Sequence, residues 1–130
     1  MAGIVFPTSK DIYLEANGQK LAVVESYRAR STQESSFVEA FGEQEAVGTV
    51  GGKIQHTIEL SRVYVTGGTQ GDGIDFFNLH GFNLVIVKPD KRIIYSGCEW
   101  TDIDEEAGLN HTILEKVSLM AAKRMEMAVS

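Results

Sequence analysis

The chain has 130 residues, of which 43% are hydrophobic and 23% charged, which is the size and composition of one folded domain. A chain of this length buries roughly two-thirds of its unfolded surface, so we expect a core that needs no metal or disulfide. The 12 basic and 18 acidic residues give a net charge of -6, the wrong sign for a protein that grips phosphate backbones by counterion release. Disordered and collagen-like chains are excluded and nucleic-acid binding is disfavoured, although enclosing DNA without holding it is not.

The N-terminus and the single cysteine indicate where the protein works. Met1 to Phe6 has no basic n-region and no apolar h-region, so no signal peptide is expected. The longest apolar runs, such as residues 84–87, fall far short of the ~20 residues that span a bilayer. Cys98 has no second cysteine to pair with, which favours a reducing compartment. Residues 1–10 lack periodicity and are predicted to form an N-terminal arm. A single domain is predicted over residues 11–130.

Turn signals predict two β-hairpins. Asn17-Gly18 lies between two apolar stretches and supplies the two residues tolerant of positive φ that a type I′ turn requires. Residues 88–91, Lys-Pro-Asp-Lys, separate the apolar stretches 82–87 and 92–95, and the proline presets φ for a turn. Both hairpins are predicted from local chemistry alone.

Residues 53–65 give the clearest strand pattern, because Ile54, His56, Ile58, Leu60 and Tyr64 alternate with polar residues. At ~3.3 Å per residue this strand could span about 40 Å, which is long for so small a domain. A strand that extends past its own core usually pairs or packs with something beyond it.

Four other segments carry weaker signals. Residues 31–52 mix glutamates, phenylalanines and glycines, which suggests a segment that is loose in the free protein and becomes ordered on association. Residues 74–80 are predicted to form one or two helical turns with Asp72 as N-cap, and residues 102–108 an acidic turn. Residues 109–128 fit both a helix and a strand period, while propensity favours helix across Met120 to Met127. The residues thus predict a mostly β domain with one short helix.

No catalytic, cofactor or metal site is predicted. The glycine-rich loop at 66–73 lacks the Gly-Lys-Ser/Thr ending of a P-loop, and an EF-hand starting at Asp102 would lack its glycine and its final glutamate. The three histidines are far apart, so His56 is interpreted as a hydrogen-bonded core or interface histidine. Cys98 is predicted to be buried and inert, since reactive cysteines need an electropositive setting.

A basic and aromatic patch is a weaker possibility. It would combine Arg28, Arg30 and Arg62 with nearby tyrosines, but salt bridges between strands, to Glu25 or Glu59, explain the arginines better. The chain then carries more β edge than a small fold can cover. Exposed edges invite pairing, so self-association is the main functional inference from the residues.

The chain resembles the phage-type tail tube proteins of contractile phages, defective prophages and phage-tail-like particles. The resemblance rests on the hairpin start DIYLEANGQKLA at 11–22, VESYRAR at 24–30, the glycine-punctuated stretch at 40–52 and IELSRVY at 58–64. It covers about Asp11 to Lys123. The helix-like composition of residues 120–127 departs from it, because the family would place a closing strand there.

The resemblance implies a mainly β fold, a small barrel or sandwich with one short flanking helix, related to the type VI secretion tube protein. It also implies a structural role with no cofactor. Subunits would join their sheets in a hexameric ring, and rings would stack into a tube that conducts DNA or effectors without specific binding. The net charge of -6 has the sign that lets DNA slide. The implied partners are further copies of the chain, a tail sheath, and baseplate or tail-terminator proteins, with no membrane. The implied location is the virion tail, assembled in the bacterial cytoplasm.

In the family that the chain resembles, an N-terminal arm and a long loop contact neighbouring rings. By position, these would be the N-terminal arm at 1–10 and a long assembly loop at 31–52. The candidate inter-subunit contacts are Ile4, Phe6, Phe37, Val38, Phe41, Val47, Val50 and Arg62.

Three alternatives remain open. A protein of the same fold could initiate the tube at the baseplate or complete the tail. A small ligand-binding β-barrel module could hold its ligand around His56, Tyr64 and Trp100. An enzyme could use Cys98 as its nucleophile.

Overall fold

The computed structural model describes residues 12–21, 23–65, 73–108 and 112–128. These residues form eight strands and one 3-10 turn at Phe76–Asn78: β1 (Tyr13–Ala16), β2 (Gln19–Lys20), β3 (Val24–Val38), β4 (Gly48–Val65), β5 (Phe82–Val87), β6 (Lys91–Ala107), β7 (Thr112–Ala121) and β8 (Lys123–Ala128). The predicted mainly β fold class is confirmed, and the expected helix is only the 3-10 turn.

The strands pair antiparallel in the order β2-β1-β5-β6-β7-β4-β3, and β8 pairs with β6. β6 takes part in two sheets, because residues 92–98 pair with β5 whereas 99–107 pair with β7. We call β3, β4, β7 and the second half of β6 the long sheet. The short sheet consists of β1, β2, β5, β8 and the first half of β6.

The two sheets meet at a corner where two neighbouring chain segments bend together. Gly97 in β6 has φ 64, and Ala122 separates β7 from β8. The Ala122 N–H donates to the Ser96 carbonyl at 2.9 Å, so the two bends are hydrogen-bonded to each other. A Cβ at Gly97 would lie 2.9 Å from the Ala122 Cβ, and the positive φ also disfavours any side chain. Glycine is therefore required at this corner.

The apolar faces of the two sheets pack against each other and form the core. The long sheet contributes Ile58, Leu60, Val117 and Leu119, which alternate with polar residues along their strands. The rest of the core comes from the short sheet and the loops beside it: Leu14, Ala16, Leu21, Phe76, Phe82, Leu84, Ile86, Ile93, Tyr95 and Cys98. Each fully buried large apolar side chain contributes about 1.5–3 kcal/mol, so this core positions both sheets.

The predicted hairpin turns are found in the structure. Asn17 and Gly18 have φ 51 and 81, as the type I′ prediction requires, and join β1 to β2. The Lys88 N–H donates to the Lys91 carbonyl at 2.9 Å, which closes the turn between β5 and β6.

Three local expectations need correction. Residues 102–107 are strand, not an acidic turn, because Ile103 packs against the core while its acidic neighbours face solvent. Residues 112–128 form β7 and β8, so pairing with β4 and β6 overrides the helix propensity of 120–127. The turn at Phe76–Asn78 is capped by Asp75, whereas the expected cap, Asp72, lies outside the described residues.

Candidate self-assembly surfaces

The β3–β4 hairpin extends beyond the rest of the fold. β7 accompanies β4 only as far as the pair His56 and Ala121, after which β3 and β4 pair with each other alone up to Val38 and Gly48. We call residues 32–55 the arm, which is distinct from the N-terminal arm predicted for residues 1–10. At ~3.3 Å per residue, its strand segment at 32–38 reaches roughly 23 Å past the third strand. The segment expected to be a long loop is thus mostly hairpin, with residues 39–47 as its connection.

Large apolar side chains are exposed along the arm. Phe41, at the connection, is fully exposed, and Phe37 is 72% exposed. The full set is Phe37, Val38, Phe41, Val47, Val50 and Ile54. A two-stranded hairpin is only marginally stable alone in water, and clustered exposed apolar groups mark interaction sites. The arm therefore has the composition of a segment that is completed by a partner.

A β-bulge shapes the arm near its middle. The β3–β4 register shifts between Gln33 and Ser35, where β4 carries one extra residue. A Cβ at Gly52 would lie 2.5 Å from the Glu34 carbonyl oxygen, so only glycine allows the strands to approach here. The glycines that punctuate the sequence at this point thus serve the arm's own pairing.

An open groove of about 610 Å³ lies at the base of the arm, between the arm and the short sheet. His56 lies in its wall, with Nδ1 2.7 Å from the Ser31 Oγ and its ring edge-on to Tyr95. Burial, and then the charge of Tyr95, raise the pKa of Tyr27 in the same wall. The lining residues are Tyr27, Ala29, Ser31, Ile54, His56, Ile86, Lys88, Ile93, Tyr95 and Arg124.

The residues of the ligand-binding alternative are not brought together. His56 lines the groove, whereas Trp100 contacts the Phe77 ring at 5.5 Å between centroids and is not among the lining residues. The Tyr64 side chain lies outside the described part of the structure. No observation therefore favours an aromatic ligand pocket.

The long sheet has two open edges among the described strands. The outer edge of β3 faces no described strand. Along β6, β5 ends at the pair Phe82 and Cys98, so residues 102–107 pair with β7 on one edge only. In the short sheet, the outer edge of β8 is also open, but this strand is short. Its Glu126 carboxylate forms ion pairs with Lys91 (N–O distance 2.8 Å) and Arg124 (3.7 Å). Charged side chains on a short strand are a common protection against edge pairing.

Arg62 does not lie on these surfaces. Its side chain is 3% exposed, and its Nε is 2.8 Å from Glu115 Oε1. The partner is neither Glu25 nor Glu59, the acids expected from the sequence. Because the guanidinium is held inside the subunit, we leave Arg62 out of the proposed interface.

The other candidate contacts fall into two groups. Phe37, Val38, Phe41, Val47 and Val50 are all exposed on the arm, while Ile4 and Phe6 lie outside the described residues. Their contacts with other subunits stay a prediction. Ile54 was missed because its place in an alternating strand suggested a core position, whereas the arm carries it past the core.

The thiol of Cys98 is in the core. It is fully buried, and its Sγ is 3.4 Å from the Tyr95 carbonyl oxygen. Burial is the main cause that raises its pKa to about 11, so the thiol stays protonated at neutral pH. The prediction that Cys98 is buried is confirmed.

A metal site and a membrane-spanning helix are both absent from residues 12–21, 23–65, 73–108 and 112–128. These residues contain no cluster of His, Cys, Asp and Glu side chains that could hold a metal ion. They also contain no helix with the length and apolar character of a membrane span.

Several solved structures are similar to this chain. The SPP1 tail tube has a TM-score of 0.71 at 11% identity, covering 95% of this chain and 80% of that one. The tube-terminating cap of the anti-feeding prophage has a TM-score of 0.69 at 11% identity, covering 99% and 95%. The tail of an empty gene transfer agent particle, refined helically with C6 symmetry, has a TM-score of 0.64 at 17% identity, covering 95% and 98%.

No protein-family model and no curated protein matches the chain. At these identities the likeness to the solved structures is one of fold. The resemblance inferred from the sequence is confirmed at that level, and the chain has the fold of tail tube proteins.

Proposed function

We propose that this chain is a non-enzymatic structural subunit that polymerises as stacked hexameric rings into the inner tube of a phage or phage-like tail. The observation that carries the proposal is the pair of open edges on one long sheet. The fold shared with a tail tube and with a tail of C6 symmetry supports it. The tube would lie in the virion tail, assembled in the bacterial cytoplasm.

Strand direction makes ring closure possible. β6, β7, β4 and β3 are antiparallel in turn, so the edge strands β6 and β3 run in opposite directions. A copy rotated about an axis along the strands presents its β6 edge to the β3 edge antiparallel, and the ladder continues from copy to copy. Such head-to-tail contacts close into a ring when the rotation permits.

The arm would connect the rings. It projects past the core as two strands with exposed apolar groups, and burying these against another subunit removes them from water. In the sequence-based prediction, residues 1–10 share this role. A lumen formed from subunits of net charge -6 repels phosphate, so DNA or effectors would pass without being held. A tail sheath and baseplate or terminator proteins would bind the finished tube.

A second candidate is a protein that caps or initiates the tube. The likeness to a tube-terminating cap, at a TM-score of 0.69 over 99% of this chain, favours it as much as the tube matches favour a tube. Negative-stain electron microscopy of the concentrated protein separates the two. Tubes of indefinite length indicate a tube subunit, and single rings indicate a cap or initiator. A particle that stays monomeric at 14.3 kDa at every concentration would overturn both.

A further inference from the structure

We infer that opposite charges on the two open edges of the long sheet select a second copy of the chain as partner and fix its direction. The basic edge is β3, with Arg28 and Arg30, and the acidic edge is β6, with Asp102 and Asp104. This inference rests on the proposed function, because it concerns which edges meet within a ring.

Each edge carries charge of one sign where its pairing is regular. Residues 26–33 of β3 contain two arginines and no acid, since Glu25 and Glu34 lie at the two register shifts of that strand pair. Residues 102–107 of β6, which follow the register shift between Trp100 and Asp102, contain four acidic residues and no basic one. The sign of the charge therefore reverses from one edge of the sheet to the other.

The charges lie on the same face of the sheet. Arg28 pairs with Glu59, Glu59 with Ser118, and Ser118 with Asp102, so these four residues form one row across the four strands. Glu59 lies between the buried Ile58 and Leu60, which places the row on the face opposite the core. When β3 of one copy meets β6 of the next, the arginines and the aspartates therefore approach on one side.

The four charged residues named above, the two arginines of β3 and the two aspartates of β6, form no ion pair within the part of the chain that the structure describes. The side chains of Arg28, Arg30, Asp102 and Asp104 are exposed, and the ion pairs found among the described residues join other groups. Thr57 lies opposite Arg30 and Ser118 opposite Asp102. Glu59, opposite Arg28, and Lys116, opposite Asp104, are competing partners on the same sheet.

The arrangement discriminates against the wrong assembly. Two β3 edges would place arginines against arginines, and two β6 edges would place carboxylates against carboxylates. Like charges directly opposite one another on neighbouring strands are destabilising, and like-charge contacts suppress wrong partners. Twofold contacts through either edge are thus disfavoured, and head-to-tail pairing, which closes into a ring when the rotation permits, is selected.

Complementary charge reversals test the inference. One variant carries Arg28→Glu and Arg30→Glu, so both edges are acidic. The other carries Asp102→Arg and Asp104→Arg, so the two acidic positions that would meet the arginines become basic while Glu105 and Glu106 remain. We expect each variant alone to need at least about tenfold more protein to assemble than the wild type. Mixed in equal amounts, they should co-assemble as alternating subunits, because every junction then joins unlike charges. Sedimentation velocity and electron microscopy give the readout.

A control exchanges the charges of one opposed pair in the short sheet. Glu15 and Lys20 lie opposite each other on β1 and β2, so Glu15→Lys with Lys20→Glu keeps unlike charges together, changes neither open edge of the long sheet and should assemble as the wild type does. Normal Trp100 fluorescence in all variants is the check of folding. Assembly of the single variants at wild-type concentrations, or a mixture that assembles no better than its components, would overturn the inference. Failure of the wild-type chain to form rings at all would instead overturn the proposed function.

Discussion

Arg62 and Glu115 form an ion pair inside the subunit, with the Arg62 Nε donating to Glu115 Oε1 at 2.8 Å. Arg62 Nη2 also donates to the Ile74 carbonyl at 2.6 Å, and the guanidinium carbon lies 4.8 Å from the centroid of the Phe76 ring. The pair therefore ties β4 and β7 to the segment that carries the 3-10 turn. It holds that segment against the core without a regular helix.

Removal of one partner of this ion pair should be costly. Glu115→Ala leaves the buried guanidinium without its counter-charge, and the free energy of unfolding should fall by about 3–5 kcal/mol. Urea denaturation followed by Trp100 fluorescence measures this. The double variant Arg62→Met, Glu115→Leu should recover most of the loss. The surface variant Glu126→Ala, which also breaks an ion pair, should have a much smaller effect; an equal effect would contradict the role of burial.

Gly97 should tolerate no side chain. Gly97→Ala places a Cβ 2.9 Å from that of Ala122 at φ 64, and a left-handed non-glycine residue alone costs about 1–3 kcal/mol. The matched control is Gly18→Ala, which has φ 81 and no atom within 4 Å of the new Cβ, so it carries the backbone strain alone. Thermal unfolding should rank Gly97→Ala below Gly18→Ala. Adding Ala122→Gly to Gly97→Ala should restore part of the difference, and the reverse ranking would show that the corner is not tightly packed.

Phe41 should matter for assembly and not for folding. Because its side chain is fully exposed, Phe41→Ala removes no contact within the subunit and should leave the unfolding midpoint unchanged. If the ring is buried in the polymer, its loss should weaken each contact by about 1.5–3 kcal/mol and raise the concentration needed for tubes. Phe77→Ala is the control, since Phe77 is 51% exposed but lies outside the arm. Unchanged assembly of Phe41→Ala would remove Phe41 from the interface.

The arm should exchange its amide hydrogens quickly in the free subunit and slowly in the polymer. Its strands have only each other as partners, so local opening needs little free energy, and burial against a neighbour would suppress it. Hydrogen exchange read by mass spectrometry compares peptides from 32–55 with peptides from 113–119, which lie in the core strand β7. Equal protection of the arm in both states would show that assembly does not order it.

Cys98 should make stability decline at high pH. Burial raises its pKa from 9.0 to about 11 in the folded state, so the unfolded thiol ionises first as the pH rises. Stability from this group is complete below pH 9 and is lost between about pH 9 and 11. Wild type should therefore lose more stability over this range than Cys98→Ala. Parallel curves would contradict the shift, as would rapid alkylation of folded protein at pH 8.

Local chemistry in the sequence was enough to predict the turns at Asn17-Gly18 and at 88–91, because each turn depends on its own residues. The arm was harder to predict. Both faces of a two-stranded hairpin meet solvent, so the alternation that marks a half-buried strand disappears in residues 31–38. β7 and β8 were ambiguous because their strand state depends on pairing with residues far along the chain. The partner of Arg62 lies 53 residues away, a distance that no local pattern bridges.

The hydrogen-bonded bends at Gly97 and Ala122 have a mechanical consequence. Two adjacent segments carry covalent backbone from one sheet into the other, and a hydrogen bond fastens them where they turn. A pulling force on the long sheet is therefore transmitted to the short sheet through the covalent backbone, and not only through side-chain packing between the two sheets. In a tube made of such subunits, the two sheets of each subunit would resist being pulled apart. The contacts between neighbouring subunits would be the first to break under force.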